Sequence, residues 1–127
     1  VTPQSVVFDA SALLALLQNE PGAQLVIDRI ATGRPVFVSA VNWSEIMQKA
    51  LYKQHNWQNI RGRLLALDIT VIEVTRDDAE TAAQLWQPKQ GLSLADRLCL
   101  TLGQRLNAEI LTADNAWSGL SGVTVIR

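Results

Sequence analysis

The chain carries a single cysteine, Cys99, and a single histidine, His55. One thiol cannot close an internal disulfide or build a cysteine-based zinc site, and it suits a reducing compartment, so a cytoplasmic protein is expected. Basic residues are not in excess: 11 Lys and Arg face 12 Asp and Glu, for a formal charge of −1. Such a balance does not grip nucleic acid through overall charge, and any polyanion must be held by a local patch. Long apolar runs are missing too. The longest, Ala12 to Leu17, is far too short to cross a bilayer, and no signal peptide is evident, so no membrane partner is expected. The start at Val1 is compatible with a trimmed native N-terminus. Linkers, internal repeats and low-complexity tracts are likewise absent, which predicts one domain over residues 1–127.

The 48% hydrophobic content is enough for a proper core, and its pattern alternates between two periods. Ser5–Phe8, Val36–Ser39, Thr70–Val74, Glu109–Ala113 and Val123–Ile126 are short and rich in Val and Ile, as strands are. Helices are expected between them: Ser11 to about Gln18, Ala23 to Thr32, a third marked by Trp43, Ile46, Met47, Ala50 and Leu51, and a fourth from an Asn56 cap to Leu67. A fifth opens on a capping box at Thr75–Asp78 and runs to Pro88, and a sixth opens at Ser93. Strands alternating with helices predict an α/β fold, a central parallel sheet of about five strands flanked by helices.

Four acids stand where apolar stretches end or helices begin. Asp9 closes Val6-Val7-Phe8 and Asp114 follows Ile110-Leu111-Thr112-Ala113, while Glu45 and Asp96 lie near helix starts. Open α/β sheets place their sites at the carboxyl ends of strands. Each acid also has an ordinary role available. Asp114 can be a turn or N-cap residue, Asp96 can reciprocate a Ser93 cap, and Glu45 can pair with Lys49 one turn on. Asp9 is harder to dismiss, because a poorly solvated carboxylate between apolar segments needs a partner.

If the first and fourth strands are neighbours, all four acids meet in one crevice. Two unit charges ~4 Å apart repel by about 4 kcal/mol at an effective dielectric near 20, so such a cluster requires cations or protons. All-oxygen donors without a nearby His or Cys select Mg²⁺ or Mn²⁺ over zinc. A carboxylate-held ion with open positions suits phosphodiester chemistry. His55 reads as an ordinary surface residue and Cys99 as core.

The blocks Val6-Val7-Phe8-Asp9-Ala10-Ser11-Ala12-Leu13, Ser39-Ala40-Val41-Asn42-Trp43-Ser44-Glu45, Leu94-Ala95-Asp96-Arg97-Leu98-Cys99-Leu100 and Leu111-Thr112-Ala113-Asp114-Asn115-Ala116-Trp117 resemble the motifs of PIN-domain ribonucleases. The resemblance is strongest to the VapC toxin branch of bacterial type II toxin-antitoxin systems and spans essentially the whole chain. It implies a three-layer α/β/α fold and an endoribonuclease that cleaves cellular RNA, such as tRNA or rRNA, with Mg²⁺ or Mn²⁺. On this resemblance Asp9, Glu45, Asp96 and Asp114 match the catalytic, metal-binding quartet. Ser11, Asn42 and Thr112 match polar companions that would orient it, although Ser11 also reads as the N-cap of its helix. Trp117 matches an aromatic position best read as packing. Asn115 departs from the pattern, since relatives often carry a basic residue there.

For the substrate, Lys49 and Lys53 share the helical stripe of Glu45, and Arg97 adjoins Asp96, so these three are candidate phosphate contacts. The alternative is a solvated face with a Glu45–Lys49 pair. The resemblance further implies a cognate VapB-type antitoxin that crosses the toxin and inserts a basic side chain among the acids. The all-round apolar segment Ala12–Leu17 predicts complete burial or a second chain against it, hence a homodimer within a toxin-antitoxin hetero-oligomer. Trp43, Trp57 and the first helices are expected to form the antitoxin groove. Two other classes stay open at this stage: an aspartate-nucleophile phosphatase, which wants a second acid where Ser11 stands, and a non-enzymatic interaction module whose acids are caps and turns.

Overall fold

The computed structural model describes residues 3–127. Its elements run β1 (Val6–Phe8), α1 (Ala10–Leu17), α2 (Ala23–Ala31), β2 (Val36–Ser39), α3 (Ala40–Tyr52), α4 (Trp57–Leu65), β3 (Ile69–Ile72), α5 (Arg76–Gln84), α6 (Leu94–Leu106), β4 (Glu109–Thr112), a short 3₁₀ turn (Asn115–Trp117) and β5 (Val123–Val125). The strands form one parallel sheet in the order β3-β2-β1-β4-β5. The chain builds outward from β1 to β3, then crosses to the other side for β4 and β5. That reversal leaves a crevice at the carboxyl ends of β1 and β4, the topological switch point of the sheet.

Alternation along the strands feeds two cores. Val6, Phe8, Val36, Val38 and Leu111 face the layer of α1 to α4, whereas Val7, Phe37 and Ile110 face the layer that includes α6. Strands buried on both faces explain the continuous Val and Ile runs. Gly103 of α6 lies so close to the Ile110 side chain that a Cβ there would collide with it. The missing side chain therefore lets α6 settle onto β4, which fixes the start of the helix where Asp96 rides.

Element boundaries differ from the expectation in physically simple ways. The first helix starts at Ala10, because the Asp9 carboxylate, and not Ser11, caps it by accepting from the Ala12 N–H at 2.9 Å. The third strand occupies Ile69–Ile72 because it pairs with Val36–Ser39 in that register, which leaves Glu73 and Val74 exposed. The fifth helix ends at Gln84, ahead of Pro88, with the Leu85 N–H closing the last turn on the Thr81 and Ala82 carbonyls at 3.2 Å. Nor is α1 uniformly covered: Ala12, Leu13 and Ala15 are buried, whereas Leu14, Leu16 and Leu17 are only partly so. Among the described residues no helix is long and apolar enough to cross a membrane.

Candidate metal centre at the switch point

Parallel pairing of β1 with β4 sets Phe8 beside Leu111, and the Asp9 N–H donates to the Leu111 carbonyl at 3.1 Å. The next residues on each strand, Asp9 and Thr112, therefore emerge together. The Thr112 hydroxyl donates to Asp9 Oδ2 at 2.6 Å, and the Ser11 hydroxyl donates to Asp9 Oδ1 at 2.7 Å. Ser11 Oγ also accepts from the Ala113 N–H at 2.8 Å, and Thr112 Oγ from the Asp114 N–H at 3.0 Å. Two hydroxyls thus tie the head of α1 to the end of β4.

The other acids are held from behind in the same manner. Asp96 sits in a capping box, its Oδ2 accepting from the Ser93 N–H at 2.9 Å while Ser93 Oγ accepts from the Asp96 N–H at 3.1 Å. Asp114 caps the 3₁₀ turn through Oδ1, which accepts from the Ala116 N–H at 2.9 Å. Glu45, on α3, accepts from Asn42 Nδ2 at 2.7 Å, and Asn42 is almost fully buried. Glu45 makes no ion pair with Lys49 among the described residues. Capping and site-building, rivals in the sequence, are here the same bonds. Two caps and the Asn42 amide commit one oxygen each of Asp96, Asp114 and Glu45 to the fold and leave the carboxylate's other oxygen available.

All four acids line one cavity of about 250 Å³, together with Ser11, Asn42 and Lys49. Asp9 forms its buried floor, Asp96 is half-buried, and Glu45 and Asp114 are exposed at the mouth. Among the described residues no three of them are drawn onto a single point as a closed cage. A hard divalent ion fits the donor set, which is entirely oxygen with neither imidazole nor thiol lining the cavity.

Burial raises the Asp9 pKa to about 6, against the hydrogen bonds from Thr112, Ala12 and Ser11 that lower it and with a further push from the Asp96 charge. A cation in the cavity would reverse that rise, and below pH about 6 it competes with a proton for Asp9. The affinity for Mn²⁺ is therefore expected to fall about tenfold per pH unit below 6 and to level off above it, as read by titration calorimetry. Cys99 lies one turn beyond Asp96, fully buried; burial drives its thiol pKa well up and the charges of Asp9, Asp96 and Glu45 add to the rise. It is a core residue with no nucleophilic role.

The candidate basic residues separate. Lys49 lines the acid cavity, but Lys53 lies in a neighbouring groove, and Arg97 turns away, its Nη1 donating to the Ala82 carbonyl of α5 at 2.9 Å. Arg97 thus clamps α6 to α5, a task shared with Arg105, whose guanidinium meets the Asp78 carboxylate at 3.0 and 3.1 Å. The neighbouring groove, of about 310 Å³, has an apolar floor from Leu14, Leu17, Ile46, Ala50 and Ile60 and a cationic edge of Lys49, Lys53 and Arg63. Trp43 and Trp57 do not line it; they pack edge to face with centroids 5.3 Å apart in the core beneath. The stripe Asn56, Asn59, Ile60, Arg63, at helical spacing, is the sequence signal for the α4 side of this groove alone.

A family model described as PIN domain matches residues 6–122. The solved structures that share the fold include one from Klebsiella pneumoniae and one from Rickettsia felis. A toxin-antitoxin complex from Klebsiella pneumoniae is 23% identical over 96% of this chain and 98% of its own, with a TM-score of 0.74. VapBC2 from Rickettsia felis, bound to a DNA fragment from its promoter, is 11% identical over 95% of this chain and 96% of its own, with a TM-score of 0.66. No curated protein sequence matches the chain.

Proposed function

Because this chain belongs to the PIN-domain family, we propose that it is a divalent-metal-dependent endoribonuclease, the toxin of a type II toxin-antitoxin pair held in check by a VapB-type antitoxin. PIN domains are nucleases, and the observation that carries the finer reading is the convergence of Asp9, Glu45, Asp96 and Asp114 on one cavity at the switch point. Those four residues would hold Mg²⁺ or Mn²⁺. When bound, such an ion supplies positive charge that draws a phosphodiester oxygen and acidifies an attacking water. The chain's own contribution is placement. Ser11 and Thr112 fix the Asp9 carboxylate, Asn42 fixes Glu45, and Lys49 offers an ammonium to a phosphate at the mouth.

A phosphatase with Asp9 as nucleophile is less well supported, since Ser11, two residues on, stands where such an enzyme wants its second acid, and its hydroxyl is committed to Asp9 Oδ1. The antitoxin reading draws support from the apolar groove beside the acids, which suits an amphipathic segment, and from the toxin-antitoxin complexes that share the fold. A basic side chain from such a segment would reach the same cavity as the cation and compete with it. A second copy of the chain completes the proposed assembly.

Because Lys49 alone of the three candidate cations lines the acid cavity, Lys49→Ala is expected to reduce the slope of RNA affinity against salt by about one, with Lys53→Ala leaving it nearly unchanged. Fluorescence anisotropy titrations over a salt series would show this. Mapping RNA 5′ ends in cells expressing the chain tests the reading and identifies the target together. New ends that vanish when the antitoxin is co-expressed support it. Identical maps with and without the chain would remove RNA as the substrate.

A further inference from the structure

Tyr52, the chain's one tyrosine, is 84% exposed, more than any other large apolar side chain of the described residues. It ends α3, seven residues after Glu45. At 3.6 residues per turn that interval is about 20° short of two full turns, so Glu45 and Tyr52 lie on one stripe, roughly 10 Å apart along the axis. Lys49 falls between them on the same side. Glu45, Gln48, Lys49 and Tyr52 line a common recess of about 410 Å³, and Lys49 and Glu45 also line the acid cavity. One stripe thus leads from a carboxylate through a cation and an amide to an open aromatic ring.

The other exposed apolar residues of α3 do not belong to this stripe. Met47 and Leu51, 37% and 57% exposed, lie one turn apart on roughly the opposite side of the helix from Glu45. Tyr52 is therefore separate from the patch that a protein partner would favour, and it is continuous with the proposed catalytic cavity.

Resting on the nuclease reading, we infer that Tyr52 is a stacking platform for an unpaired base of single-stranded RNA, engaged while the adjoining phosphodiester lies among the acids. Every base has a π-face, so such a contact holds a strand without reading its sequence. Lys49 and Gln48, between ring and acids, face the intervening sugar-phosphate. A duplex, whose bases are stacked on one another, cannot use the ring.

The test is anisotropy binding of a fluorescent single-stranded oligoribonucleotide to the full chain carrying Asp9→Asn, so that the RNA stays intact. Adding Tyr52→Ala should weaken binding roughly 5- to 100-fold, Tyr52→Phe should restore it, and Leu51→Ala should leave it unchanged. The same oligonucleotide in a duplex should bind equally with and without the ring. In the chain with Asp9 intact, Tyr52→Ala should raise KM by a larger factor than it lowers kcat. Unchanged affinity on Tyr52→Ala, or an equal loss on Leu51→Ala, would overturn the inference and leave the nuclease reading standing. A halved molar mass of Tyr52→Ala in sedimentation would overturn it in favour of a protein interface. Ring-dependent binding by a chain that never cleaves RNA would overturn the nuclease reading instead.

Discussion

Asp9→Asn is expected to lower metal-stimulated RNA cleavage by roughly 10³-fold while leaving the domain folded and, without metal, more stable at neutral pH than the natural chain. The two effects have one origin. Asp9 is 6% exposed, and burial raises its pKa to about 6 from 3.8. A group whose folded pKa lies above its unfolded value stabilises the fold at low pH and withdraws that stability as pH rises. Without metal, the domain should lose up to about 3 kcal/mol between about pH 3 and pH 7 from this carboxylate. The amide of Asn carries no charge to desolvate. Its oxygen can accept from Ala12 and Ser11, and its NH₂ can donate to Thr112 Oγ, so the local bonding has a substitute. Urea unfolding across this pH range should slope for the natural chain and lie flatter for Asp9→Asn. Parallel curves would mean that Asp9 is already relieved of its charge by something other than protons.

The largest loss of stability is expected from Trp117→Ala. Trp117 is 0% exposed and belongs to the core that holds Cys99, Leu100, Leu102 and Ile110. Its backbone N–H donates to the Asp114 carbonyl at 3.1 Å, closing the turn that Asp114 caps. Truncation to Ala removes an indole from a packed core and is expected to destabilise by about 3–5 kcal/mol. Below the shifted melting point, Mn²⁺ affinity should fall as well, because the turn presenting Asp114 loses its anchor. Trp117→Phe should be milder. The indole Nε1 is buried without a hydrogen-bond partner, so replacing it with a phenyl ring sacrifices volume but leaves no polar group behind. Complete burial also excludes this ring as a base-stacking surface. Calorimetric melting of the two variants checks the order, and a Trp117→Ala loss below 1 kcal/mol would contradict the anchoring role.

The central place of β1 and β4 follows from features that a sequence displays well. Val6–Phe8 and the Ile110–Leu111 middle of β4 are apolar on both faces, so both strands run centrally, and the acids that follow them emerge at one edge. Less legible was what those acids do locally. Read singly, Asp96 and Asp114 offered caps or a site as alternatives, because a sequence cannot show that a carboxylate has one oxygen for the backbone and another to spare. The direction of long side chains was invisible as well. Arg97 stands next to Asp96, yet its guanidinium finds a carbonyl fifteen residues away on α5, a choice made by helix packing. The groove is illegible in the sequence for the same reason. Its floor combines α1, α3 and α4, and no single segment carries the pattern.

The central claim, that the four acids form a metal site for cutting RNA, is tested most directly by the cleavage rate of the purified chain against added Mn²⁺, measured on single-stranded RNA in metal-free buffer. The rate should rise from background to saturation with the cation, return to background with EDTA, and stay at background throughout for Asp9→Asn. Cleavage that proceeds undiminished in EDTA, or equally in Asp9→Asn, would contradict it.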